Sequence, residues 1–180
     1  MGLDIAMEDA MANVAEAAKV RDSVGTAIEL RPFRAGDGEA FRVLNEAWIE
    51  KHFGLEAKDR ETLNDPERKI LAMGGHIFMA VDGDTAVGCC ALLLLRPDVY
   101  EVAKMTVAES QRGRGLGRKI LAYTIAQGKA LGATSLYLET NNTLHDAIHL
   151  YEELGFRHLP PERVTPSPYA RANVFMDLVF

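Results

Sequence analysis

The sequence predicts an α+β fold, a mostly antiparallel central sheet flanked by helices. Three observations predict it. Two apolar, strand-like runs, His76 to Val81 and Thr85 to Leu95, are joined by Asp82-Gly83-Asp84, a hairpin signal. A third run, Tyr100 to Val107, passes through a loop with alternating glycines, Gly113, Gly115 and Gly117, straight into a helical pattern. Helix and strand patterns then alternate to the C-terminus, with Gly132 and Gly155 as helix stops. Such elements bury their apolar faces by layering helices on a sheet.

In residues 1–27, Leu3, Met7, Ala10, Met11, Val14, Ala17 and Ala18 recur at helical spacing. This segment reads as an N-terminal arm or helix docked on the domain or on a neighbouring subunit; a partly disordered extension fits the same residues. The domain proper is expected over residues 28–180. Ile28 to Phe33 reads as its first strand, with Pro32 marking an edge or a strand end. Asp37-Gly38 opens a helix carrying Phe41, Leu44, Trp48 and Ile49. Asp65-Pro66-Glu67 starts another, with Asp at the N-cap and Pro at the first helical position, and Gly74-Gly75 stops it.

Beyond the glycine loop, Leu116, Ile120, Leu121, Ile125 and Leu131 mark a helix, and Ser135 to Thr140 a strand. Thr143-x-x-Asp146 predicts a capping box for a helix running through Leu154. Phe156 to Leu159 and Asn173 to Phe180 read as closing strands, separated by an irregular loop from Pro160 to Arg171 with four prolines.

Composition narrows the function. The 180 residues are 48% hydrophobic and 26% charged, the profile of one soluble globular domain. A net charge of -6 argues against general nucleic-acid binding, which needs a basic footprint. No apolar run approaches the ~18 residues of a membrane span, so no membrane partner is expected. The N-terminus has acidic residues where a signal peptide has basic ones. The two cysteines, Cys89 and Cys90, are adjacent and on a strand would point to opposite faces, which reads as reduced thiols in a cytoplasmic protein.

The chemistry concentrates between Glu101 and Arg118. Glycines allow close backbone approach to a bulky anion, and the unpaired N–H groups of a helix start attract it. Arg112, Arg114, Arg118 and Lys119 add four cations to this short segment of an acidic chain. The loop reads as a pyrophosphate site. A P-loop is excluded, since G-x-x-x-x-G-K-[ST] does not occur, and Gly113-x-Gly115-x-Gly117 has the wrong spacing for a dinucleotide-binding turn.

What fits is [QR]-x-x-G-x-[GA], present as Arg112-Gly113-Arg114-Gly115-Leu116-Gly117. A strand ending Lys104-Met105-Thr106-Val107 precedes it, and Ala147-x-x-Leu150-Tyr151-Glu152-x-Leu154-Gly155-Phe156 follows. In these elements the chain resembles the GNAT superfamily of acyl-CoA-dependent N-acetyltransferases, from Ile28 to the C-terminus in element order. The resemblance implies a GNAT-like fold with acetyl-CoA as co-substrate and no metal. It implies that the backbone of Arg112, Gly113, Arg114, Gly115, Leu116, Gly117 and Arg118 holds the CoA pyrophosphate. Met105, Thr106 and Val107 would offer backbone groups to the pantetheine amides through a splay of the strand from its neighbour. The usual position of the Asn that often contacts the pantetheine arm is held here by Leu144; the available side chains are Asn141 and Asn142, displaced by a short insertion, and the role is assigned to Asn142.

Attack of a neutral amine on a thioester needs a proton acceptor, an oxyanion donor and help for the leaving thiolate. Glu101 is the candidate base. Strand alternation would place it on one face with Ala103, Met105 and Val107, where desolvation raises its pKa. It also matches the catalytic Glu of the histone-acetylating branch of the family. A solvated carboxylate, or a binder of the substrate ammonium, fits the same position. Tyr151 is the candidate acid, with a satisfied core tyrosine as the alternative. The resemblance puts the oxyanion donor at the backbone N–H near Met105 or Thr106.

His145-Asp146-x-x-His149 imitates a zinc-protease helix, but its face should be solvated and no third ligand is evident. Glu46, Glu50, Glu56, Asp59 and Glu61 form either an acidic wall for a cationic amine or a solvated face. The Pro160–Arg171 loop should border the acceptor site, with Arg171 available to a substrate carboxylate. The expected protein is a cytoplasmic N-acetyltransferase that takes acetyl-CoA and an amine acceptor, a small molecule or peptide, in a ternary complex. A homodimer is possible by family habit. The alternative is a non-catalytic acyl-CoA-binding regulator.

Overall fold

The structure, a computed structural model, describes residues 17–180. Among these residues the strands form one sheet in the order β1-β2-β3-β4-β5-β6-β8-β7. They are β1 (Ala18–Arg21), β2 (Ala27–Pro32), β3 (His76–Asp82), β4 (Thr85–Arg96), β5 (Val99–Val107), β6 (Ser135–Thr140), β7 (Arg157–His158) and β8 (Val174–Val179). All neighbours run antiparallel except β5 and β6, which are parallel. β1 lies within the segment assigned above to an N-terminal arm. It pairs with β2 from Ala18↔Leu30 to Arg21↔Ala27, so the sheet begins before Ile28. The rest of that predicted arm lies outside the described residues.

The helices are α1 (Gly38–His52), α2 (Ala57–Leu63), α3 (Pro66–Lys69), α4 (Leu116–Ala130) and α5 (His145–Glu153). None among the described residues is long and apolar enough to cross a membrane. Asp65 caps α3 as expected, accepting from the Arg68 amide at 3.3 Å, and Gly74 ends the following 3-10 turn at φ 82°. The capping box expected at Thr143 is absent. α5 starts one residue after Leu144, and the Asn141 carboxamide oxygen instead accepts from both the Thr143 amide and its hydroxyl.

α1 covers one face of the sheet, packing Phe41 and Ile49 on Ile77, Met79, Cys89 and Ala91. α4 covers the other, packing Leu116, Ile120 and Leu121 with Phe78, Cys90, Leu92 and Val102. Cys89 and Cys90 therefore serve opposite cores, as alternation requires. Burial pushes both thiols up, Cys90 to about 12, so they are inert small hydrophobes. Gly88 sets how closely α4 approaches: a Cβ there would lie 2.6 Å from Ile120 Cδ1.

β5 is not a regular strand. Ala91 pairs with Ala103 and Cys89 with Thr106, so Lys104 and Met105 together oppose Cys90. This is a β-bulge, and Lys104 sits in it at φ 51°. The bulge reverses the phase of the strand. Tyr100 and Val102 before it and Met105 and Val107 after it all pack on the α4 side. Glu101 and Ala103 pair with Leu93 and Ala91, which belong to the α1 side. The expectation that Glu101 shares a face with Met105 and Val107 is thus corrected, because strict alternation does not survive an inserted residue.

Candidate active site

The parallel ladder of β5 and β6 runs only from Val99↔Ser135 to Glu101↔Tyr137. β6 stays paired with β8 as far as Thr140↔Val174, while β5 stays with β4 as far as Val107↔Gly88. The two strands part beyond Glu101, and a cavity of about 390 Å³ fills the opening. Its lining includes Glu101, Met105, Thr106, Val107, Arg112 and Tyr151 from the sequence-predicted set.

Glu101 stands at the fork. Its pKa is pushed up to about 7, first by burial and then by the neighbouring Glu139 carboxylate, with Lys104 opposing. Glu139 lies two residues beyond Tyr137 on β6, so both share the face of Glu101. Its carboxylate accepts hydrogen bonds from the Tyr137 hydroxyl at 3.0 Å and from the Ser167 hydroxyl. No hydrogen bond from a described residue reaches the Glu101 carboxyl.

Lys104, Tyr169 and Arg171, which also line the cavity, belong to a largely buried ion network. Lys104 Nζ donates to Asp59 Oδ1 at 2.8 Å and to the Tyr169 hydroxyl at 3.0 Å. Arg171 donates to both Asp59 oxygens at 2.8 Å and to Glu56 Oε1 at 2.9 Å. Burial raises the Asp59 pKa, but the hydrogen bonds from Arg171 and Lys104 more than offset it and leave the carboxyl at about 2. Two expectations are corrected here. Glu56 and Asp59 are neither a free acidic wall nor a solvated face, since they are paired with cations. Arg171 borders the cavity as predicted, but its charge is already met by protein carboxylates. Lys104 and Glu139 escaped the sequence reading. A lysine inside an apolar strand was the available signal for the first, whereas the second needs the β5–β6 pairing.

Tyr151 on α5 packs its ring on Phe156 at 6.0 Å between centroids. Burial raises its pKa above the ordinary phenol value, and its hydroxyl has no hydrogen-bond partner among the described residues. Asn142 lies outside the cavity lining, with its backbone amide donating to the Asn173 side chain at 2.8 Å and its own carboxamide oxygen accepting from Asn173 Nδ2 at 3.2 Å. Asn141 does line the cavity, but its Nδ2 donates to the Arg171 carbonyl at 2.6 Å.

The glycine loop continues from the cavity through Arg112, whose Nε donates to the Val107 carbonyl at 3.2 Å. Gly113 and Gly115 both sit at φ 73°. No amide of residues 113–118 donates to a protein acceptor among the described residues. The β1–β2 turn braces the loop from behind: the Ser23 amide donates to the Arg114 carbonyl at 3.1 Å, and Arg114 Nη1 donates to Asp22 Oδ2 at 3.2 Å. Arg118 reaches Glu153 on α5 at 2.5 Å. Of the cations expected to face an anion, Arg114 is therefore a brace, and its contribution to the cradle is its backbone.

Comparison with known proteins agrees with this layout. The sequence pattern of the acetyltransferase (GNAT) family matches residues 40–156. The Escherichia coli (strain K12) protein called "Uncharacterized N-acetyltransferase YjgM" is 31% identical over 119 residues, 62% of this chain and 71% of that protein. A GNAT-family acetyltransferase from Staphylococcus aureus MU50 superposes with a TM-score of 0.75 at 22% identity, covering 84% of this chain and 98% of its own. YncA from Salmonella typhimurium, described as a putative acetyltransferase and solved with its cofactor acetyl-CoA, superposes with a TM-score of 0.66 at 18% identity, covering 84% of this chain and 93% of its own. These structures share the fold of this chain.

Proposed function

The chain belongs to the acetyltransferase (GNAT) family, and from that premise we propose that it moves the acetyl group of acetyl-CoA onto a primary amine of a small molecule or peptide, by direct attack in a ternary complex. The observation that carries this reading is the parting of β5 and β6 beyond Glu101 and Tyr137. It opens a cavity whose lining includes the Glu101 and Glu139 carboxyls and reaches Arg112, the residue that enters the glycine loop with its unpaired amides. A solved fold relative carries acetyl-CoA by its own description.

The residues fit the co-substrate. Amides of residues 113–118 would hold the diphosphate, supported by the start of α4. The freed edge of β5 at Met105, Thr106 and Val107 would offer backbone groups to the pantetheine arm. When bound, acetyl-CoA supplies an acetyl carbonyl activated as a thioester. In the transfer an N–C bond forms, the C–S bond breaks, the amine gives up one proton and the sulfur leaves as a thiol.

Glu101 would take the proton. A carboxyl at about 7 faces an amine near 10.4, a gap of ~3 units or ~5 kcal/mol, against ~8 kcal/mol for an ordinary carboxyl. The remaining difference is met by binding the minor neutral amine or by a water relay. Tyr151 would serve the departing sulfur. With its pKa raised above a thiol near 8.5, the phenol acts as a hydrogen-bond donor rather than giving up its proton outright. Backbone N–H groups near Met105 or Thr106 would receive the oxyanion. The buried thiols of Cys89 and Cys90 support a cytoplasmic setting, and a homodimer is the family expectation. Thiol release from acetyl-CoA, measured across an amine panel, tests the reading; no release with any amine would refute it.

A further inference from the structure

We infer that the acceptor is a cationic amine with no carboxylate beside its amino group, an inference that rests on the acetyl-transfer reading above. The acceptor end of the cavity is lined by Glu101, Lys104, Glu139 and Arg171. Both cations are already matched. Lys104 is held by Asp59 and the Tyr169 hydroxyl, and Arg171 by Asp59 and Glu56. The Arg171 guanidinium also lies over the Tyr169 ring, 4.5 Å from its centroid. Side-chain exposures of 0% for Asp59 and 5% for Lys104 show that solvent does not open this pair.

Two cations against Asp59 and Glu56 leave a neutral network. The unbalanced groups are therefore Glu139 and, where it is ionised, Glu101. Asp146 adds a third carboxylate to the lining, and Arg112 belongs to the glycine-loop end through its bond to the Val107 carbonyl. An ammonium group suits this surplus. An α-amino acid brings its own carboxylate within a few bonds of the reacting nitrogen. That carboxylate would be carried toward Glu101 and Glu139 and would meet no uncommitted cation, and repulsion is stronger in a partly buried site than in water. Trp48 and Phe53 line the same cavity and offer apolar surface to the rest of the acceptor.

The experiment uses matched acceptors with acetyl-CoA: agmatine against arginine, and tyramine against tyrosine. Tyrosine amide keeps the size of tyrosine without its carboxylate. The amine of each pair should show kcat/KM about tenfold or more above its amino acid, with tyrosine amide resembling the amine. Glu139→Gln should narrow the ratio several-fold. Amino acids turned over as well as their amines, or a ratio unmoved by Glu139→Gln, would overturn the inference while leaving acetyl transfer in place. No thiol release with any member would overturn both.

Discussion

Glu101 and Tyr137 form the last rung of the parallel ladder between β5 and β6. Every residue of β5 beyond that rung has lost its neighbour on this side, and the lost pairing opens the candidate site. A strand edge inside a protein normally has to be covered or paired. Here the edge is left open over a cavity, with a carboxyl at the fork and a helix start beyond the far end. The relationship ties the position of the candidate base to the place where an extended ligand could add to the sheet.

A carboxyl held at about 7 has consequences for both rate and stability. Glu101 must be ionised to accept a proton, so kcat/KM should rise with pH through about 7, and Glu101→Gln should lose that inflection along with about 10²- to 10⁴-fold in kcat. The folded carboxyl binds its proton more tightly than the unfolded one near 4.5. Its favourable contribution is therefore complete below about 4.5 and lost as pH rises through 7, at up to ~3 kcal/mol. Glu101→Gln should raise Tm at alkaline pH and leave it unchanged near pH ~4, as melting curves at the two pH values would show.

Tyr151→Phe removes one hydroxyl that has no hydrogen-bond partner among the described residues, so the fold should be undisturbed. Turnover should fall by roughly 10- to 100-fold with little change in the affinity for acetyl-CoA. Unchanged steady-state kinetics would remove Tyr151 from the mechanism.

Asp59→Ala would strand Lys104 and Arg171 without their shared carboxylate. Uncompensated buried charges cost about 3–5 kcal/mol, enough to unfold a marginal domain. Asp59→Asn, which keeps the acceptor oxygen, should cost less. Because the wild-type carboxyl sits near 2, its contribution is present above about 4 and should fade as pH falls from there toward 2, visible as acid destabilisation in denaturant titrations.

The glycines separate ligand approach from backbone strain. Gly115 lies at φ 73°, so Gly115→Ala should cost about 1–2 kcal/mol of stability whatever binds there. Gly117 lies in the first turn of α4, and a Cβ on it would meet only Met105 and Val107 at 3.7 and 3.8 Å, ordinary contact distances. Gly117→Ala should fold at least as well as the wild type. A loss of acetyl-CoA affinity in calorimetry would then report a clash with the ligand itself.

Most of the sheet was legible because its signals are local. The Asp82-Gly83-Asp84 hairpin, the Gly132 stop and the strand–glycine–helix unit follow from turn chemistry and apolar period, and Ser135–Thr140 came out with its bounds intact. β1 was missed because four residues, Ala18 to Arg21, are too few to show a period, and its pairing with β2 is set by tertiary contact. In the site, Glu101 and Tyr151 could be singled out individually. The bulge at Lys104 that turns Glu101 away from Met105 leaves no mark in residue types. Nor does the network joining Asp59 to Lys104 and Arg171, across 45 and 112 residues of chain. Asn142 lies off the cavity because it pairs with Asn173, a contact across 31 residues of chain that residue types do not show.

The most direct measurement is a crystal structure of the chain with bound acetyl-CoA. The diphosphate should lie within hydrogen-bond distance of amides in residues 113–118, with the pantetheine alongside Met105, Thr106 and Val107. Coenzyme lodged elsewhere on the protein, with those amides facing only solvent, would contradict the account.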